Sequence, residues 1–175
     1  METERANFVL SDAKLKEFTT IESLLKAEVS SQVGLIKQHV ENGFPVDFSV
    51  DGWNFLHTAC FVGNSDLLEF LLLRAKEKGG HICKKMLNER FLRWYEPHLG
   101  INWHCLTPLQ LTLTRHGKCH DYKLCELLVD YGADVNVVDK DGCTPIHIAC
   151  RTQTEFTVEL CKLFIDRGVD VNVVD

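Results

Sequence analysis

Apolar residues recur at helical spacing in four windows of similar shape along the chain. Residues 124–132 read LCELLVDYG and residues 160–168 read LCKLFIDRG, while LLEFLLLRA (67–75) and, more faintly, LIKQHVENG (35–43) repeat the pattern. Leucines at positions i, i+3 and i+4 make one stripe of an amphipathic helix. A glycine, or Ala75 in one window, follows the last turn and predicts a left-handed C-terminal cap. Upstream of three windows lies a second shared shape: NFLHTAC (54–60), TPLQLTL (107–113) and TPIHIAC (144–150). Threonine can cap a helix start, and proline in the first turn loses no hydrogen bond because that amide has no partner in the helix. Each unit is therefore a pair of helices. The link GADVNVVDKDGCT (132–144) contains Asp141-Gly142, a tight-turn signal, and predicts a projecting hairpin between units. The hexapeptide DVNVVD stands at 134–139 and again at 170–175.

This periodicity resembles the ankyrin repeat. The stretch GADVNVVDKDGCTPIHIAC (132–150) is similar to the family's run across a repeat boundary. DGWNFLHTACFVGNSDLLEFLL (51–72) is similar to a whole helix pair, with Phe55 where the family usually has proline. The resemblance implies an all-α solenoid of helix-turn-helix units joined by β-hairpin loops. The spacing from Asn54 to Thr107 exceeds the family period of about 33 by about 20 residues, and that from Thr107 to Thr144 by about four. The expected organisation is an N-terminal extension (1–15) and a degenerate capping repeat (16–50). A first full repeat (51–75), an insertion (76–104), a second repeat (105–139) and a third (140–175) follow. In the capping repeat, Thr19-x-x-Glu22 forms a capping-box pattern, and Gln38 and His39 replace apolar positions, as suits a terminal unit with one solvent-facing side. The third repeat carries Phe156, Leu160, Leu163 and Phe164 as an internal repeat would. It is expected to be followed by further repeats, or to meet a partner or a second copy of the chain there.

Charge and composition narrow the function. The chain of 175 residues has a net charge of −6, which argues against a phosphate-tracking surface and hence against nucleic-acid binding. No apolar run reaches the roughly 20 residues of a membrane span. The charged N-terminus has no secretory apolar core, so the cytoplasm or nucleus is the expected compartment, with the eight cysteines reduced. Cys60, Cys125, Cys150 and Cys161 occupy positions suited to small apolar side chains.

No motif for catalysis is present: no phosphate-binding loop, nucleophile elbow or H-E-x-x-H. No cofactor is expected, and the protein reads as a non-enzyme. His57 and His147 occupy slots where the resemblance implies structural hydrogen bonds. His116, Cys119, His120 and Cys125 lie close in sequence, but their spacing matches no zinc finger and Cys125 faces its helix core, so no metal site is expected.

The insertion 76–104 carries six Lys/Arg against three Glu within an acidic chain. Leu87, Phe91 and Trp94 fall at i, i+4 and i+7, which predicts one face of a short helix. If that stripe packs on the solenoid, Lys84, Lys85, Arg90 and Arg93 face outward and suit an acidic partner. Trp94, Tyr95 and Trp103 are side chains of the kind enriched in interface hot spots.

The resemblance also implies protein binding through hairpin tips and inner helices, in the manner of a scaffold or adaptor. By position, the tip candidates are Val50, Trp53, Lys140 and Cys143. The inner-helix candidates are Thr58, Phe61, Val62, Thr114, Arg115, Arg151 and Thr152. Asn136 and Asn172 match the hairpin asparagine that such repeats can present to an asparaginyl hydroxylase. The alternative expectation is a recognition module of a larger enzyme, channel or ubiquitin-ligase adaptor whose remainder lies beyond residue 175.

Overall fold

Helix α1 (Val33–Glu41) is the first element of the computed structural model, which describes residues 33–91, 94–96, 101–103, 105–114 and 122–172. A two-stranded ladder follows, β1 (Ser49–Val50) antiparallel to β2 (Trp53–Asn54). Three helix pairs form the body: α2 (Phe55–Val62) with α3 (Ser65–Lys78), α5 (Pro108–Thr114) with α6 (Tyr122–Asp130), and α7 (Pro145–Thr152) with α8 (Thr157–Asp166). Between the first and second pairs stand α4 (Gly80–Asn88) and a second ladder, β3 (Trp94–Glu96) antiparallel to β4 (Ile101–Trp103). Equivalent helices stack: α2 on α5 and α5 on α7, α3 on α6 and α6 on α8. This is the all-α solenoid that the resemblance implies. The predicted capping-box helix at 19–29 lies outside the described residues.

Local chemistry explains the start of the first helix in each pair. The Asn54 side chain accepts from the amides of Leu56 and His57, while His57 Nδ1 accepts from the Asn54 amide at 3.2 Å. Thr107 and Gln110 make the same reciprocal pair, as do Thr144 and His147. Such boxes satisfy amides that have no partner within the helix. Phe55 replaces the usual proline without loss, because its ring is fully buried against Phe44 and Phe48.

The fourth residue of the first two boxes also links one unit to the next. With Nδ1 accepting, His57 carries its proton on Nε2 and donates to the Leu106 carbonyl at 3.2 Å. Gln110 stands in the same slot: its Oε1 accepts from the Thr107 amide and its Nε2 donates to the Val137 carbonyl at 2.9 Å. Glutamine keeps the acceptor–donor pair that the imidazole provides, so the exchange preserves the function of the slot. The structural reading of His57 and His147 holds in this geometry.

The connection 132–144 tightens as predicted. The Asp139 amide donates to the Cys143 carbonyl, and Asp139 Oδ1 accepts from the amides of Asp141 and Cys143. Asn136 bridges consecutive connections, its Nδ2 donating to the Gly168 carbonyl and its Oδ1 accepting from the Asp170 amide.

Gly132 takes φ 98° with open space around the position of an added Cβ, and ends α6 with its amide donating to the Val129 carbonyl. Gly132→Val should therefore cost about 1 kcal/mol or more through backbone strain alone, measured by urea unfolding. Equal stability would place the helix end elsewhere. The window at 67–75 departs from the prediction: α3 does not end at Ala75, which is buried, but runs to Lys78 before Gly79.

Candidate partner-binding surface

The insertion packs on the solenoid, but not as the one helix that its spacing predicts. Helix α4 buries Cys83, Met86 and Leu87 and ends at Asn88. Trp94 belongs to β3, paired with Trp103 of β4, so the helical stripe Leu87–Phe91–Trp94 does not exist as such. The break has a tertiary cause. Glu89 turns extended (φ −67°, ψ 137°) while its carboxylate accepts from Ser49 Oγ at 2.8 Å and Asn54 Nδ2 at 2.9 Å. Asn54 Nδ2 also donates to the Met86 carbonyl. On the other side, Asn88 Oδ1 accepts from the Asp134 amide.

Phe91 then enters the core fully buried, with its ring 4.9 Å from that of Trp53 and 5.3 Å from that of His57. The insertion is closed at its base, where the Cys105 amide donates to the Phe91 carbonyl and the Phe91 amide to the Leu106 carbonyl. Sequence reading missed Ser49, Glu89 and Phe91 as an anchoring set. Nothing in a local window marks them, because the partners are about 40 residues apart in the chain.

With the apolar side of α4 buried, Lys84 and Lys85 lie on its exposed side, near exposed Lys78 and Arg90 in sequence. Among the described residues, no carboxylate pairs with any of these four. Lys76 is also exposed and lies over the Tyr131 ring at 5.5 Å. Arg93 lies outside the described residues. Burial pushes the Cys83 thiol above its ordinary range, as befits a packing side chain rather than a nucleophile.

The predicted tip and inner-helix residues divide. Trp53 is not a surface residue: it is 5% exposed and its Nε1 donates to Thr58 Oγ1 at 2.9 Å. Thr58 is fully buried beneath it, and Cys143 is buried too. Thr58 fails as a contact residue because the α2 row is covered, with Phe55 through Cys60 all buried. Trp53 fails because Phe91 and Phe61 pack against its ring, and Cys143 because it joins the hydrophobic core. Phe61 remains exposed, edge-on to Trp53 with centroids 5.9 Å apart. Val50 and Val62 are half-buried, whereas Lys140 and Arg151 are exposed. The Thr114 and Thr152 hydroxyls bond back to carbonyls of their own helices.

Asn136 is engaged between connections as described above, and the Asn172 amide and side chain both donate to Asp170 Oδ1. The backbones of Trp94, Tyr95 and Trp103 form the β3–β4 ladder. Arg115, His116, Cys119 and His120 lie outside the described residues, and Cys125 is buried in α6. Among the described residues, no three His, Cys, Asp or Glu side chains gather as a metal site, and no helix is long and apolar enough to cross a membrane.

Comparison with known families agrees with the repeat geometry. The family model described as ankyrin repeats (three copies) matches residues 75–175. The chain belongs to the ankyrin-repeat family, whose domains generally mediate protein–protein interaction. None of the curated proteins compared with it matches.

Proposed function

We propose that this chain is a protein-binding adaptor whose partner presents an acidic segment to the basic ridge of α3 and α4. The observation that carries this reading is the outward set Lys78, Lys84, Lys85 and Arg90 on a protein of net charge −6. A local field opposite to the overall charge selects partners by sign and steers their approach. Exposed Phe61 supplies a separate apolar contact at the end of α2, and exposed Lys140 and Arg151 extend the candidate surface to the third repeat. The compartment that suits this role is the cytoplasm or nucleus.

A fluorescein-labelled Glu/Asp-rich peptide tests the reading by anisotropy, beside neutral and Lys-rich peptides of equal length. The acidic peptide should bind in preference to both and weaken as salt rises. The double variant Lys84→Glu/Lys85→Glu should bind it about tenfold less, a change of about 1.4 kcal/mol. Equal binding of all three peptides would overturn the acidic specificity.

A second reading, self-association, is supported by α8. Val158 and Ile165 are 59% and 55% exposed, whereas Val129, which matches Ile165 in repeat register, is 4% exposed beneath the third repeat. Sedimentation over a wide concentration range should show reversible association that Ile165→Glu abolishes. Identical monomeric behaviour of both chains would exclude it.

A further inference from the structure

The third repeat differs from the other two at one pair of facing positions. In repeat register these are Cys60 with Leu68, Leu113 with Cys125, and Cys150 with Cys161. The first four side chains are fully buried, each pair holding one thiol that has no second thiol at its register partner. Stacking accounts for this burial, because α5 and α6 cover the first pair of helices and α7 and α8 cover the second. Only the third repeat has cysteine at both positions. There Cys150 is exposed and Cys161 half-buried, with their sulfurs 3.6 Å apart.

We infer that Cys150 and Cys161 are a redox-responsive dithiol that forms an intrachain disulfide with a hydroperoxide as oxidant. Sulfurs in van der Waals contact need to approach by about 1.5 Å to reach the roughly 2.05 Å of a disulfide, a distance that side-chain rotation can supply. The two residues lie on the paired helices α7 and α8, joined by the short connection 153–156.

Cys150, the more exposed sulfur, is the one a peroxide reaches. Its thiolate attacks the peroxide: an S–O bond forms, the O–O bond breaks, and the leaving oxygen takes a proton to depart as water. Cys161 then attacks the sulfenic acid. The S–S bond forms, the S–O bond breaks, and the hydroxyl leaves as water with the Cys161 proton. Two thiols and one hydrogen peroxide give one disulfide and two waters, the two sulfurs together losing two electrons. Burial and the contact with Cys150 push the Cys161 thiol up to about 11, which favours it as the protonated, resolving partner rather than the first to react. The product ties α7 to α8 on the face that also carries Val158 and Ile165.

The test treats the reduced full chain with equimolar hydrogen peroxide, followed by alkylation, non-reducing electrophoresis and peptide mass analysis. The expected product is a monomer lighter by two hydrogens, with Cys150 and Cys161 protected from alkylation together and restored by dithiothreitol. Cys150→Ser and Cys161→Ser should each abolish the crosslink, and Cys143→Ser should leave it intact. Three outcomes would overturn the inference: a crosslink that survives either of the first two variants, sulfinic acid at Cys150 with Cys161 still free to alkylate, or a dimer bridged through Cys150.

Discussion

Gly52→Ala should lower the unfolding free energy by about 2–5 kcal/mol, far more than the same change at another glycine of positive φ. Asp51 and Gly52 form the two-residue turn between β1 and β2 with φ values of 51° and 81°. That turn matches the twist of the paired strands and needs positive φ at both central residues. An alanine there has a conformational cost of about 1–2 kcal/mol. Its Cβ would also clash with the Arg90 carbonyl oxygen, within the backbone of the insertion, which no side-chain rotation can relieve. Forced overpacking of this kind costs about 1–3 kcal/mol more.

Gly132→Ala provides the comparison, because φ is 98° there and nothing stands within 4 Å of the added carbon. The difference between the two variants in urea unfolding isolates the clash. Faster amide exchange in α4 and at Phe91 should accompany it. Equal losses in the two variants would mean that the turn and the insertion do not meet as described.

His57 should make the protein steeply sensitive to mild acid. Burial lowers its pKa from 6.5 to about 3, against the raising influence of the Leu106 and Glu89 carbonyls. The rings of Trp53 and Phe91 flank the imidazole, and Asn54 holds Nδ1. The unfolded chain takes up the proton near 6.5, while the folded chain refuses it until about 3. Stability from this group is therefore complete above 6.5 and is lost progressively as pH falls towards 3. At about 1.4 kcal/mol per pH unit, about 2 kcal/mol should be gone by pH 5 and about 3 by pH 4. His57→Gln should remove this component, because Gln110 shows that an amide can fill the same slot. Urea unfolding of both chains from pH 7 to pH 4 measures it. Parallel curves would mean that the imidazole is not held neutral in the fold.

Much of the solenoid was legible because its signals are local. The Thr-Pro starts, the helical stripes and Gly132 act through neighbours within a turn or two, so a short window contains both cause and effect. The insertion was legible only in part. Its basic composition was readable, but the sequence left open whether it folds back onto the solenoid, and the continuation of the helix through Trp94 was not correct. Glu89 ends α4 because Ser49 and Asn54 hold its carboxylate, and no window of the chain contains all three.

The candidate surface divides in the same way. Exposed Lys84 and Lys85 follow from apolar spacing in α4, since burying one side of a helix turns the other to water. Trp53 and Thr58 read as surface residues by position, yet Phe91 and Phe61 pack around the indole and its N–H finds the Thr58 hydroxyl. The cysteines follow suit. Cys60 and Cys125 are buried because another helix pair stacks over them, whereas Cys150 and Cys161, chemically the same residues in the same register, lie open on the third repeat.

The sequence by itself determined the repeating unit, its caps and turns, and the side of each helix that seeks the core, because these depend on spacing and short-range hydrogen bonding. Tertiary structure alone decided which of those sides is covered, where the insertion stops being helical, and that His57 is held neutral. Each of those outcomes rests on groups distant in the chain removing water from one another.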